Sequence, residues 1–104
     1  MSLSTHVLDA ALGRPAHGVA VRLAREDGTV LAEGRTDADG RISGWAPGAG
    51  VHRLVFDTGA YFAARGTETF YPEVCVTFTV ADPAEHHHVP LLLSPFAYST
   101  YRGS

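Results

Sequence analysis

Period-two alternation runs through most of this chain and restricts it largely to strands. Val19, Val21 and Leu23 fall on one face of "GVAVRLAR", and Val74, Val76, Phe78 and Val80 on one face of "PEVCVTFTVA". Successive strand side chains point to opposite faces, so each run has an apolar side to bury. Turn-forming clusters separate the runs: "ALGRP", "REDGT", "DADGR", "APGAG", "ADPAE" and "LSP". Their spacing of about ten residues suits a two-sheet, all-β sandwich. Strands are expected near 4–8, 18–25, 29–36, 41–45, 50–56, 72–80, 87–93 and 98–102. One segment departs from the pattern. "DTGAYFAARG" has apolar residues at helical spacing, a Thr able to cap and Gly66 where a helix would stop, so a helix of two or three turns is expected. Pro90 lies inside a strand pattern without an N–H to donate, which places it at an edge or a bulge.

At 104 residues the chain reads as one domain, residues 1–104, large enough to bury a core without cross-links. A net charge of -3 excludes a broad basic surface for nucleic acid and a polybasic membrane patch. No apolar stretch approaches the roughly 20 residues of a membrane span. "MSLSTHVLD" has no basic region followed by an apolar one, so no secretory leader is expected. Cys75 is the only cysteine, which rules out an intrachain disulfide. These features suit a cytoplasmic protein. Lys, Asn and Gln are absent. Schiff-base lysine chemistry is therefore excluded, and a site must draw its donors from Arg, His, hydroxyls and backbone N–H groups.

Four features could carry chemistry. His6 in "STHVLD" shares a strand face with Ser4 and Leu8, opposite Val7. In "EHHHVPLLL", alternation sets His86 and His88 on one face and His87 on the other, with Val89 and Leu91. Two histidines so spaced can chelate a metal if another ligand joins them. No Cys or carboxylate lies beside them at ligand spacing, so neutral imidazoles doing acid–base work are preferred. Arg41 follows the Asp39-Gly40 turn and near a pocket would be a planar clamp for a carboxylate or urate-like edge. Last come Tyr101, Arg102, Gly103 and Ser104, where Arg102 and Ser104 share one face and Tyr101 and Gly103 the other if the strand persists. Asp57, Glu73 and Glu85 read as solvated charges, and Cys75 as a packing or interface residue rather than a nucleophile.

"LSTHVLD", "TDADGR", "YPEVCVTF" and above all "HHHVPLLLSPFAYSTYRGS" resemble the transthyretin-like proteins, in their 5-hydroxyisourate hydrolase branch. The resemblance implies a transthyretin-like antiparallel sandwich of about eight strands and one short helix. It also implies a homotetramer, a dimer of dimers, with sites in a channel where dimers meet. The implied reaction is hydrolytic ring opening of 5-hydroxyisourate to a ureidoimidazoline carboxylate in uric acid degradation, with no cofactor and no metal. The implied catalytic set is His6, Arg41, His88 and Ser104, with Tyr101, Arg102 and Gly103 around the substrate. His6 and His88 would activate water and move protons, and Arg41 would polarise the substrate. Ser104 with its carboxylate would finish the pocket. His87 stands where the family often has tyrosine, and it faces away from His88. The rival readings are a carrier on the same fold, with a dry apolar channel, and a structural sandwich whose histidines bind metal.

Overall fold

The computed structural model describes residues 2–104. Nine strands and one helix follow in the order β1 (Ser2–Asp9), β2 (Arg14–Pro15), β3 (Ala20–Arg25), β4 (Val30–Arg35), β5 (Arg41–Trp45), β6 (Gly50–Phe56), α1 (Thr58–Ala63), β7 (Val74–Val80), β8 (His86–Ser94) and β9 (Ala97–Thr100). One sheet runs β2-β1-β8-β9, with β5 also paired to β1; the other runs β4-β3-β6-β7. Leu3, Val7, Leu91 and Leu93 from the first sheet meet Leu23, Leu54 and Phe56 from the second in one core. Each such side chain contributes about 1.5–3 kcal/mol on burial, so the alternation read from the sequence is the main source of the fold's stability.

Among the described residues every strand pairing is antiparallel except one. β1 and β8 run parallel over eight residue pairs, from Ser2↔His86 to Asp9↔Leu93. The periodicity of either strand is the same whichever way its partner runs, so alternation alone does not reveal this exception. Two-residue β2 accounts for the strand beyond the expected eight.

Three expectations are corrected. The helix spans only six residues, less than two turns, and Asp57 rather than a threonine caps it by accepting from the Ala60 N–H at 3.1 Å. Asp57 is thus a capping group and not simply a solvated charge. Pro90 lies at neither an edge nor a bulge, because β8 is flanked by β1 and β9. The β8–β9 ladder stops at Leu91↔Thr100 and resumes in unbroken register at His88↔Gly103. Pro90 sits in the gap, where its missing N–H interrupts the ladder, and its carbonyl accepts from Thr100 Oγ1 at 2.7 Å. Finally, Cys75 is exposed on β7, on the side away from the core, so of the two expected roles packing inside the chain is set aside and the interface role is left standing.

Candidate active site

β1 alternates Ser2, Ser4, His6 and Leu8 outward with Leu3, Thr5, Val7 and Asp9 inward, and the inward four are buried. β8 alternates His86 and His88 outward with buried His87, Val89, Leu91 and Leu93. Parallel register then sets Ser2 beside His86, Ser4 beside His88 and His6 beside Pro90. On the other flank of His6, β5 brings Arg41 directly opposite. Arg41, His6, Ser4, His86 and His88 therefore share the outer face of one sheet.

The turn before β5 holds Arg41 in place. Asp37 Oδ1 accepts from the backbone N–H groups of Asp39 and Arg41, both at 2.9 Å. The Arg41 N–H is the leading reason the Asp37 carboxyl lies below its ordinary value. Gly40 has φ +76°, and a Cβ there would strike the Val7 carbonyl. Its own carbonyl accepts from the Val7 N–H at 2.7 Å, tying the turn to β1.

Hydroxyls orient both outward imidazoles of β8. Ser4 Oγ lies 2.7 Å from His88 Nδ1 and 3.1 Å from His86 Nε2. Ser2 Oγ lies 2.7 Å from His86 Nδ1. The two rings are nearly parallel, at 16° with centroids 6.4 Å apart. Desolvation of the half-buried ring pulls His88 below its ordinary value of 6.5, and the charges of Arg41, His6 and His86 push the same way. His88 is thus held neutral near pH 7, with Nδ1 engaged and Nε2 making no hydrogen bond among the described residues.

The chain end reaches the same face through Gly103. Its N–H donates to the His88 carbonyl at 2.9 Å. A Cβ at Gly103 would overlap the imidazole of His88, lying 3.1 Å from Cγ and closer still to Cδ2, so only glycine passes this ring without displacing it. Arg102 pairs with Glu85 at 3.2 Å, which makes Glu85 an anchor for the tail and not a free charge. Glu73 likewise lies 3.8 Å from Arg22. Tyr101 is largely exposed and borders a recess of about 290 Å3 that His87, His88, Val76, Phe78 and Arg102 also line. Ser104 is exposed and makes no hydrogen bond or ion pair among the described residues. The structure therefore brings His6, Arg41, His88 and Gly103 together and leaves the Tyr101 ring and Ser104 unengaged. A larger cleft of about 790 Å3 lies elsewhere, beside Arg25, Glu26, Asp27 and the β5–β6 turn. It contains none of these groups. Sequence reasoning passed over Ser4 and Asp37 and read Glu85 only as a solvated charge. "TDADGR" carries an Asx-turn pattern that could have flagged Asp37, whereas Ser4 acquires its meaning only from the β1–β8 register.

Residues 3–103 match the model of the HIUase/Transthyretin family. The chain belongs to this family. The 5-hydroxyisourate hydrolase of Salmonella dublin is 49% identical over 109 residues, covering 98% of this chain and 80% of that protein. The structure of Klebsiella pneumoniae 5-hydroxyisourate hydrolase superposes with a TM-score of 0.91 at 43% identity, covering all of both chains. Sea bream transthyretin in complex with thyroxine superposes at 0.86 and 39% identity, covering 97% of this chain and 93% of that one. The family thus includes hydrolases and a thyroxine-bound protein on one scaffold, and this member carries His6, His86 and His88 on the outer face of the β1–β8 sheet.

Proposed function

We propose that this family member is a 5-hydroxyisourate hydrolase of uric acid degradation. The observation that carries the reading is the convergence of His6, Arg41 and a neutral, serine-oriented His88 on one sheet face, in a chain similar to named hydrolases. His88 Nε2 takes a proton from water as the water oxygen attacks the acyl carbon. Arg41 faces the developing oxyanion with its fixed donors. His6, opposite Arg41, hands a proton to the departing nitrogen. Gly103 limits the space beside His88, Arg102 holds the tail through Glu85, and Tyr101 and Ser104 complete the substrate's surroundings. No step calls for a metal. Both ring nitrogens of His86 and one of His88 are occupied by serine hydroxyls, which is poor preparation for metal ligation.

On one chain these groups lie on an open sheet face, whereas small-molecule sites enclose most of their ligand. A second copy facing this sheet supplies the missing wall, which supports the homotetramer implied by the resemblance. We place the activity in the cytoplasm, the reducing compartment that suits a chain with one unpaired cysteine. Among the described residues no helix is long and apolar enough to cross a membrane. The carrier reading has the thyroxine-bound relative in its favour. Histidine and arginine on the shared face weigh against it, because a dry apolar channel has no use for them. The test generates 5-hydroxyisourate in situ and follows its ultraviolet decay. Acceleration by the protein, unchanged by exhaustive chelation, supports a metal-free hydrolase. Decay at the spontaneous rate overturns the reading.

A further inference from the structure

We infer that Ser4 and His86 form a proton relay between His88 and solvent. The relay rests on the hydrolase reading, and its chemistry follows from the product. Opening an acyl–nitrogen bond with water yields a carboxylate and a ureido nitrogen too weakly basic to hold an extra proton. For a neutral substrate, one proton must leave the site in each turnover. His88 is half-buried and flanked by Arg41 and His6, a poor place to store that charge. His86 is exposed. Between them stands a single hydroxyl, Ser4 Oγ, within hydrogen-bond distance of one nitrogen on each ring.

The donor inventory makes the chain directional. A serine hydroxyl has one proton to give and lone pairs to accept with. When Ser4 donates to His88 Nδ1, it accepts from the Nε2–H of His86, whose Nδ1 accepts from Ser2. In the opposite polarity His88 Nδ1–H donates to Ser4, Ser4 donates to His86 Nε2, and His86 Nδ1–H donates to Ser2. The second polarity leaves His88 Nε2 with its lone pair free for the base role. After Nε2 has taken the proton from water, the Nδ1 proton passes to Ser4 Oγ as the Ser4 proton passes to His86 Nε2. His86 then releases its Nδ1 proton to water or buffer. Ionisation of the new carboxylic acid returns to His6 the proton it gave to the departing nitrogen, so each bond to hydrogen that breaks is matched by one that forms, and the net result is one proton delivered to solvent. Rotation of the two serine hydroxyls and a tautomer exchange in each imidazole restore the starting polarity. His6 and Ser4 on β1, Arg41 on β5, His86 on β8 and the Gly103 backbone face His88, with the Arg102–Glu85 pair at the flank. Among these, His86 alone is an imidazole hydrogen-bonded to His88 through Ser4.

The experiment compares wild type with His86→Ala, Ser4→Ala and Ser4→Thr at low buffer concentration, with and without added imidazole, in H2O and D2O. His86→Ala is expected to lower kcat by about ten- to a hundredfold with little change in KM, within the range for losing a proton-transfer group. Imidazole should restore much of that loss, and Ser4→Thr, which keeps the hydroxyl, should stay near wild type. Unchanged kcat in His86→Ala at low buffer overturns the relay, as does a loss that imidazole leaves untouched. A second readout separates this idea from the hydrolase reading. Imidazole 15N resonances of His86 and His88 should titrate as a coupled pair in wild type and independently in Ser4→Ala. Independent titration in both proteins overturns the relay whatever the activity, and failure of wild type to hydrolyse 5-hydroxyisourate overturns only the reaction.

Discussion

The outer faces of the two sheets are built from the same strand geometry and differ in the balance of their charges. On the four-stranded sheet, register sets Glu33 beside Arg22, and Glu73 lies 3.8 Å from the same guanidinium. Arg35 and Arg53 complete an ordinary mixed surface, solvated and self-compensating. On the other sheet, the cluster of Ser4, His6, Arg41, His86 and His88 includes no Asp or Glu side chain. A carboxylate there would pair with Arg41 and hold the imidazoles protonated. Its absence leaves Arg41 available for the proposed oxyanion role and lets burial, the leading cause, keep His88 neutral. The contrast teaches that exclusion of acids, as much as collection of bases, makes a reactive face.

The largest effect should come from removing the reactive groups. His88→Ala, His6→Ala and Arg41→Ala should each lower kcat/KM by about 10²- to 10⁴-fold while melting within a few degrees of wild type. Equal losses from Arg22→Ala would erase the distinction between the two faces. Next is Gly103→Val, whose side chain must displace the His88 ring. At least tenfold loss of kcat is expected, on the order of 1.4 kcal/mol of barrier, with unchanged secondary structure by circular dichroism. A third change sharpens the comparison within one strand. His87→Ala empties a buried position and should cost about 2 kcal/mol in urea unfolding yet leave folded-state kcat intact; His87→Tyr, beside the recess, should be close to silent in turnover.

The pH dependence is a subtler test. His88 sits below 6.5, so the acid limb of kcat/KM should lie below that value. In the unfolded chain His88 titrates normally and binds more protons across the window between its folded value and 6.5. Stability therefore declines as pH falls through that window. In Arg41→Ala, an NMR titration should move His88 upward; no movement would remove Arg41 from its surroundings. The smallest effect belongs to the ordinary face: Glu73→Ala should change stability by less than about 0.5 kcal/mol, because its pairing with Arg22 is exposed.

Alternation made the sandwich legible, and with it the separation of His86 and His88 from His87. It also showed His6 facing outward, since burial of Val7 settles the orientation of its neighbours. What stayed hidden depends on pairing between distant strands. Ser4 is an unremarkable hydroxyl until β8 runs parallel beside it, and Pro90 looks misplaced until the gap in the β9 ladder is seen. Asp57 was overlooked as a cap because the next residue, Thr58, is also a capping type. The need for glycine at 103 becomes visible only when the His88 ring lies against its backbone.

The parallel pairing of β1 with β8 joins residues 84 apart in sequence. A chain emerging from the ribosome exposes β1, with its inward Leu3, Thr5 and Val7, long before β8 exists to cover one of its edges. Loops of this length close slowly, and unpaired apolar strands are sticky while they wait. The proposed site is therefore assembled in two stages: the β1–β5 pairing that sets His6 opposite Arg41 needs only the first half of the chain, and His86 and His88 join last, when β8 slides in beside the serine strand that was made first.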